Sequence, residues 1–163
     1  MASLSHPITP CLWFDRQAED AASFYTSVFE GSRIREISRY TEETAAASGQ
    51  PAGSVLTVSF ELAGQPFLAL NGGPSIQLNE GVSFTVYCDT QQEVDYYWDR
   101  LREGGDESAQ QCGWLKDRFG LCWQIVPSIL PQLLTGPDPE KARRALAAML
   151  QMKKLDIATL EQA

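Results

Sequence analysis

Asp15-Arg16-Gln17-Ala18-Glu19-Asp20-Ala21-Ala22-Ser23-Phe24-Tyr25 and Asp89-Thr90-Gln91-Gln92-Glu93-Val94-Asp95-Tyr96-Tyr97-Trp98 are the two stretches that decide the fold. Asp15 aligns with Asp89, Gln17 with Gln91, Glu19 with Glu93 and Phe24 with Trp98, all at one offset, which marks a weak internal repeat. Both stretches follow a short apolar run and carry helical periodicity. Over 17–29 the apolar face is Ala18, Ala21, Ala22, Tyr25 and Phe29; over 91–102 it is Val94, Tyr97, Trp98 and Leu101. Gly31 closes the first helix and Gly104-Gly105 the second.

Strand signals surround each helix. The runs 8–14, 33–40, 54–62 and 65–71 belong to the first half, and 82–88, 107–111, 114–116 and 121–126 to the second. Ala63-Gly64 and Asp117–Gly120 predict hairpin turns. The polar segment 41–53 is expected to be a loop, and Pro74–Gly81 the link between halves. The expected fold is therefore α+β: two βαβββ modules forming a curved mixed sheet around a cavity, with C-terminal helices. Residues 1–127 form the domain, with module one at about 7–73 and module two at about 81–127. Residues 128–163 form a helical extension packing on the domain or on a dimer partner. Asp138-Pro139-Glu140 starts its main helix and Asp156 caps a last short one.

Composition narrows function by exclusion. The 163 residues are 44% hydrophobic and 21% charged, as in an ordinary globular protein. A net charge of −8 argues against nucleic acid and anionic membrane, which reward clustered Lys and Arg. Residues 1–7 lead to the expectation of no secretory signal, no apolar run reaches bilayer length, and Cys11, Cys88, Cys112 and Cys122 show no C-x-x-C spacing. Free thiols in the cytoplasm are the expectation.

Strand alternation separates a greasy face from a mixed one. Leu12 and Phe14, Val58 and Phe60, Phe84 and Val86, and Trp123 and Ile125 should pack under the helices. The mixed face carries Cys11, Trp13, Thr57, Ser59, Glu61, Ser83, Thr85, Tyr87 and Gln124, a set suited to a ligand cavity. The candidate ligand-binding residues are Trp13, Cys11, Glu61, Asn71, Tyr87 and Gln124. No catalytic residue is assigned: no histidine stands near a cysteine in sequence. Lys116-Asp117 is either an anion-orienting pair or a hairpin-end ion pair.

Residues 8–15 (Ile-Thr-Pro-Cys-Leu-Trp-Phe-Asp), Gln17-Ala18-Glu19, Ala22-Ser23-Phe24-Tyr25, Ala69-Leu70-Asn71-Gly72-Gly73-Pro74, 112–120 (Cys-Gly-Trp-Leu-Lys-Asp-Arg-Phe-Gly), Trp123-Gln124-Ile125-Val126-Pro127 and the tail Met149-Leu150-Gln151-Met152-Lys153-Lys154 together resemble the PhnB-like family over nearly the whole chain. That family belongs to the vicinal-oxygen-chelate superfamily, with glyoxalase I, extradiol dioxygenases and bleomycin-resistance proteins. It often carries a 3-demethylubiquinone methyltransferase label. The resemblance implies a homodimer and, in catalytic superfamily members, a divalent metal held by His, Gln or Glu on four strands. Those positions fall here near Thr9, at Ala69 or Asn71, near Ser83 and at Gln124. The single histidine, His6, precedes the first strand, and Ser75 stands where such relatives show a histidine after Asn-Gly-Gly-Pro. The residues therefore imply no metal and no cofactor. The expected function is binding of a small organic molecule in a metal-free cavity; a metal-dependent isomerase, lyase or dioxygenase, and a structural or regulatory homodimer, are the alternatives. Methyl transfer is disfavoured because neither Gly72-Gly73 nor Gly104-Gly105 lies between a strand and a helix, where it could cradle the methyl donor.

Overall fold

The structure is a computed structural model that describes residues 8–163. The chain divides between Leu78 and Asn79 into two compact units. The first runs β1 (Cys11–Phe14), α1 (Ala18–Val28), β2 (Arg33–Arg39), α2 (Glu42–Ser48), β3 (Val55–Leu62) and β4 (Gln65–Asn71). The second runs β5 (Ser83–Cys88), α3 (Gln91–Arg102), β6 (Asp106–Gln111), β7 (Trp114–Lys116) and β8 (Cys122–Pro127). It continues through α4 (Leu130–Thr135), α5 (Pro139–Met149) and α6 (Ile157–Gln162).

Each unit contains a four-stranded mixed sheet, ordered β1-β4-β3-β2 in one and β5-β8-β7-β6 in the other. In both, the first and last strands are parallel neighbours and the remaining pairs are antiparallel. The α+β class and the doubled βαβββ plan expected from the repeat are thus present. The helices occupy the greasy faces. Ala18, Ala21, Ala22, Tyr25 and Val28 of α1 are buried, with Tyr25 stacked 6.3 Å from Phe60. Val94, Trp98 and Leu101 of α3 are buried over β5, β7 and β8.

The repeat has diverged at its helix starts. α3 is capped locally: Thr90 Oγ1 accepts from Glu93 N, and Glu93 Oε2 accepts from Thr90 N. Gln17 caps nothing at the start of α1; instead Asn71, at the end of β4, accepts from Ala18 N at 2.9 Å. The segment 41–53 also differs from expectation. It contains α2, with a Thr41/Thr44 capping box and Gly49 at φ 73° closing it. No α2 residue is buried, so the helix has no apolar stripe by which to recognise it. Module two replaces this insertion with a two-residue turn, Cys112-Gly113, whose residues both have positive φ (51° and 83°). β1 starts at Cys11 rather than Ile8, because Pro10 has no N–H to give the ladder.

The C-terminal extension packs on module two. Leu130, Leu155 and Leu160 form a buried cluster with Val126, Leu133, Leu134, Met149 and Met152. Met152 and Lys153 carbonyls accept from Cys112 N and Gly113 N, both at 2.8 Å. Gln91 clamps the same segment, donating to Leu155 O and accepting from Ile157 N. Asp138 and Asp156 cap α5 and α6 as the sequence indicates.

Asp117 is engaged within its own turn. Its buried carboxylate accepts from Phe119 N, Leu121 N and Trp123 Nε1 at 2.8–3.0 Å, locking the β7–β8 turn, while Lys116 pairs with Glu80. Lys116 and Asp117 thus each have other partners, Glu80 for one and the turn for the other. Asp117→Ala orphans three donors, two of them main-chain, and is expected to cost about 3 kcal/mol in urea unfolding.

Candidate functional site

Side chains of residues paired across a sheet share a face. In module two, Phe84, Trp123 and Leu115 form one row beneath α3, with Val86 and Ile125 beside them. The opposite face carries three rows: Ser83–Cys122–Lys116, Thr85–Gln124–Trp114 and Tyr87–Val126. Gln124 is half-buried, and its Nε2 donates to Ser83 Oγ at 2.9 Å, which leaves Oε1 as an acceptor. Tyr87 and Trp114 flank Gln124 on neighbouring strands and are 65% and 36% exposed, large for aromatic groups. At one end Lys116 Nζ lies 2.8 Å from Glu80. That hydrogen bond raises the Lys116 pKa and lowers that of Glu80.

The mixed face of module one carries the rows Cys11–Leu68–Ser59–Glu36 and Trp13–Leu70–Thr57–Ser38, and then Pro66–Glu61–Arg33. Trp13 lies against Gly72, where a Cβ would overlap the indole, and donates from Nε1 to Gly73 O at 2.8 Å. Gly72 is therefore the partner surface of a tryptophan. Glu61 is 2.6 Å from Arg35 and 3.4 Å from Arg33. The hydrogen bond from Arg35 is the main cause that holds its carboxyl below the ordinary range. Cys11 is exposed at the edge strand, and desolvation raises its pKa.

Asn71 is not on this face. It pairs with Phe14 on the helix side, is buried, accepts from Ala18 N and donates to Val55 O. Its role is to hold α1 and β3. The structure thus keeps Cys11, Trp13 and Glu61 on the mixed face of module one, and Tyr87 and Gln124 on that of module two. Trp114, Ser83, Thr85 and Lys116 join the second set. Trp114 was missed because a three-residue strand has too few positions for alternation to show.

The positions carried over for a metal fare differently. Ala69 is fully buried on the helix side together with Asn71, and the module-one residue that corresponds to Gln124 is Leu68, opposite Cys11. Ser83 and Gln124 do meet, but they offer a hydroxyl and an amide. Among the described residues no group of three His, Cys, Asp or Glu side chains converges. His6 lies outside the described residues. This donor set does not fit a catalytic divalent metal, which takes imidazole or carboxylate.

A family profile described as 3-demethylubiquinone-9 3-methyltransferase matches residues 6–126. A PhnB protein from Bacillus cereus with the same label is 31% identical at TM-score 0.65, matching 76% of this chain and 100% of its own. Protein PA1353 from Pseudomonas aeruginosa is 21% identical at TM-score 0.58, over 76% of this chain and 98% of that one. A mutant of the fosfomycin resistance protein FosX from Listeria monocytogenes, complexed with Mn(II) and 1S,2S-dihydroxypropylphosphonic acid, shares the fold. It is 16% identical at TM-score 0.57, over 82% and 100%. Comparison with curated proteins gives no match.

All four cysteines are free, and burial separates them. Desolvation pushes the buried Cys88 to about 11, and burial also raises Cys122. Iodoacetamide labelling followed by mass spectrometry is expected to modify Cys11 in the native protein and Cys88 only after unfolding. Because its pKa is raised, Cys11 is mostly thiol at neutral pH, so its rate should climb as pH rises through 9 and above.

Proposed function

The chain belongs to the PhnB-like family labelled 3-demethylubiquinone-9 3-methyltransferase, within the vicinal-oxygen-chelate superfamily, and from that premise we propose that it binds a small planar organic molecule on the open face of module two. The row Thr85–Gln124–Trp114, flanked by exposed Tyr87, carries the reading. A ring can stack on Trp114 or Tyr87, donate to Gln124 Oε1 and accept from the Ser83 or Thr85 hydroxyl. Phenols, quinols and related oxygenated rings have that combination. The family label names a quinone-type ring, which suits this surface, and methyl transfer, which the chain is not built for. The turns leading from β1 into α1 and from β5 into α3, Asp15-Arg16-Gln17 and Asp89-Thr90, hold no glycine with which to cradle a nucleoside-bearing cofactor.

Binding needs no metal in this reading, because amide, hydroxyl and aromatic groups supply the contacts. Calorimetric titration with hydroquinone and methoxyphenol is expected to show saturable binding, unchanged by prior chelation. Gln124→Ala and Trp114→Ala should each weaken it roughly tenfold, about 1.4 kcal/mol, with circular dichroism unchanged. Binding that appears only after adding Mn(II) or Zn(II) would move the function to the metal-dependent reading.

Self-association is supported by a separate observation. Leu146 in the last turn of α5 and Leu150 at its C-cap lie one turn apart and are 43% and 50% exposed. We propose a homodimer that uses this stripe, and a cytoplasmic setting that fits four unpaired thiols. Leu146→Glu with Leu150→Glu is expected to convert a dimer to monomer in sedimentation velocity; an unchanged sedimentation coefficient would remove α5 from the interface.

A further inference from the structure

Residues beyond 126 lie outside the match to the family profile, and the Bacillus cereus relative is matched over its whole length by 76% of this chain. The C-terminal helices thus lie beyond the matched profile, and they border an open cleft of their own. α4, the start of α5 and the end of α6 border a space of about 410 Å³, within the range of small-molecule pockets. Ile129, Leu133 and Pro137 give it an apolar floor, and Gln132, Lys141 and Glu161 line its polar side.

The charges on that lining are placed against their helices. Lys141 stands in the first turn of α5, where the aligned peptide dipoles already present positive charge. Glu161 stands in the last turn of α6, at the negative end. Neither forms an ion pair among the described residues. Asp138 also borders the cleft, but its Oδ1 is committed to capping α5, accepting from Glu140 N and Lys141 N at 3.0 and 3.1 Å. Asp138 keeps its charge but is turned to the α5 amides, so Lys141 and Glu161 are the lining charges whose side chains have no partner among the described residues. An anion at Lys141 and a cation at Glu161 would relieve both placements at once. A ligand carrying a single charge relieves one and leaves the other.

We propose that this cleft binds a small zwitterion with an apolar side chain, of the apolar α-amino acid class. Its carboxylate lies at Lys141, its ammonium at Glu161, and its side chain on Ile129, Leu133 and Pro137. The site is independent of the open sheet face, which Gln124 reports.

The test is calorimetric titration of the full chain with L-leucine and L-phenylalanine, against isocaproate and isoamylamine as single-charge counterparts. Both amino acids are expected to bind, with the counterparts at least roughly tenfold weaker. Lys141→Met and Glu161→Gln should each weaken leucine binding by a similar factor, and Gln124→Ala should leave it unchanged. Absence of heat with both amino acids, equal binding of either counterpart, or full affinity in both cleft variants overturns the proposal. Loss of binding in Gln124→Ala overturns it too, since leucine would then occupy the sheet face. Should Lys141→Met fail to fold, the exposed Glu161→Gln decides alone.

Discussion

β5 and β8 lie side by side, parallel, with Ser83 opposite Cys122 and Thr85 opposite Gln124. This register decides what module two can do. A slip of one residue would turn Gln124 under α3 and expose Trp123 and Ile125, so burial of those two side chains enforces the arrangement. Everything on the open face follows from it: the Ser83–Gln124 hydrogen bond, Trp114 beside Gln124, and Tyr87 on the far strand. The same constraint in module one sets Cys11 opposite Leu68 and Trp13 opposite Leu70. One scaffold therefore presents an amide and a hydroxyl in one copy and a thiol and a leucine in the other.

Much of the scaffold was legible because its signals are local. The matched Asp15/Asp89 and Gln17/Gln91 positions, the stripes of α1 and α3, the Ala63-Gly64 turn and the Asp138 cap each need only a few neighbouring residues to interpret. What was not legible depends on register. β4 reads Phe67, Leu68, Ala69, Leu70, apolar on both faces, so alternation cannot say which side Asn71 takes. Only the pairing of Phe14 with Asn71 places it under the helix. Glu61 was correctly set on the mixed face, but its arginine partners sit on β2 across an irregular pairing. Cross-strand ion pairs of that kind leave no trace in sequence spacing. α2 was lost for another reason: it buries nothing, and only Thr41 and Gly49 marked its ends.

The two helix starts show how a duplicated plan is put to separate uses. Thr90 and Glu93 cap α3 from within, which frees the adjacent Gln91 to hold the C-terminal segment with both ends of its amide. Lys154, 2.7 Å from Asp95 on the same helix, adds to that attachment. In module one the cap comes from Asn71, so the end of β4 and the beginning of α1 are tied across 53 residues of chain. Local capping thus leaves Gln91 of module two free to hold the C-terminal extension. Remote capping in module one ties its first and last strands to its helix instead.

The chemistry open to the module-two face follows from its titrating groups. The Glu80–Lys116 hydrogen bond lowers one pKa and raises the other, so both partners keep their charges across the neutral range. Cys122, beside them, is raised by burial and stays a thiol there. Each of these shifts moves a group away from neutrality, whereas general acid–base catalysis wants a pKa near the working pH. Sites that use acids and bases show the reverse arrangement, with groups drawn toward neutrality by burial or like charge. A surface with fixed charge, an amide held by a hydroxyl and two exposed aromatic groups suits the ligand-holding role proposed for it. Its affinity should therefore vary little with pH between the range in which Glu80 protonates and that in which Cys122 and Lys116 lose their protons.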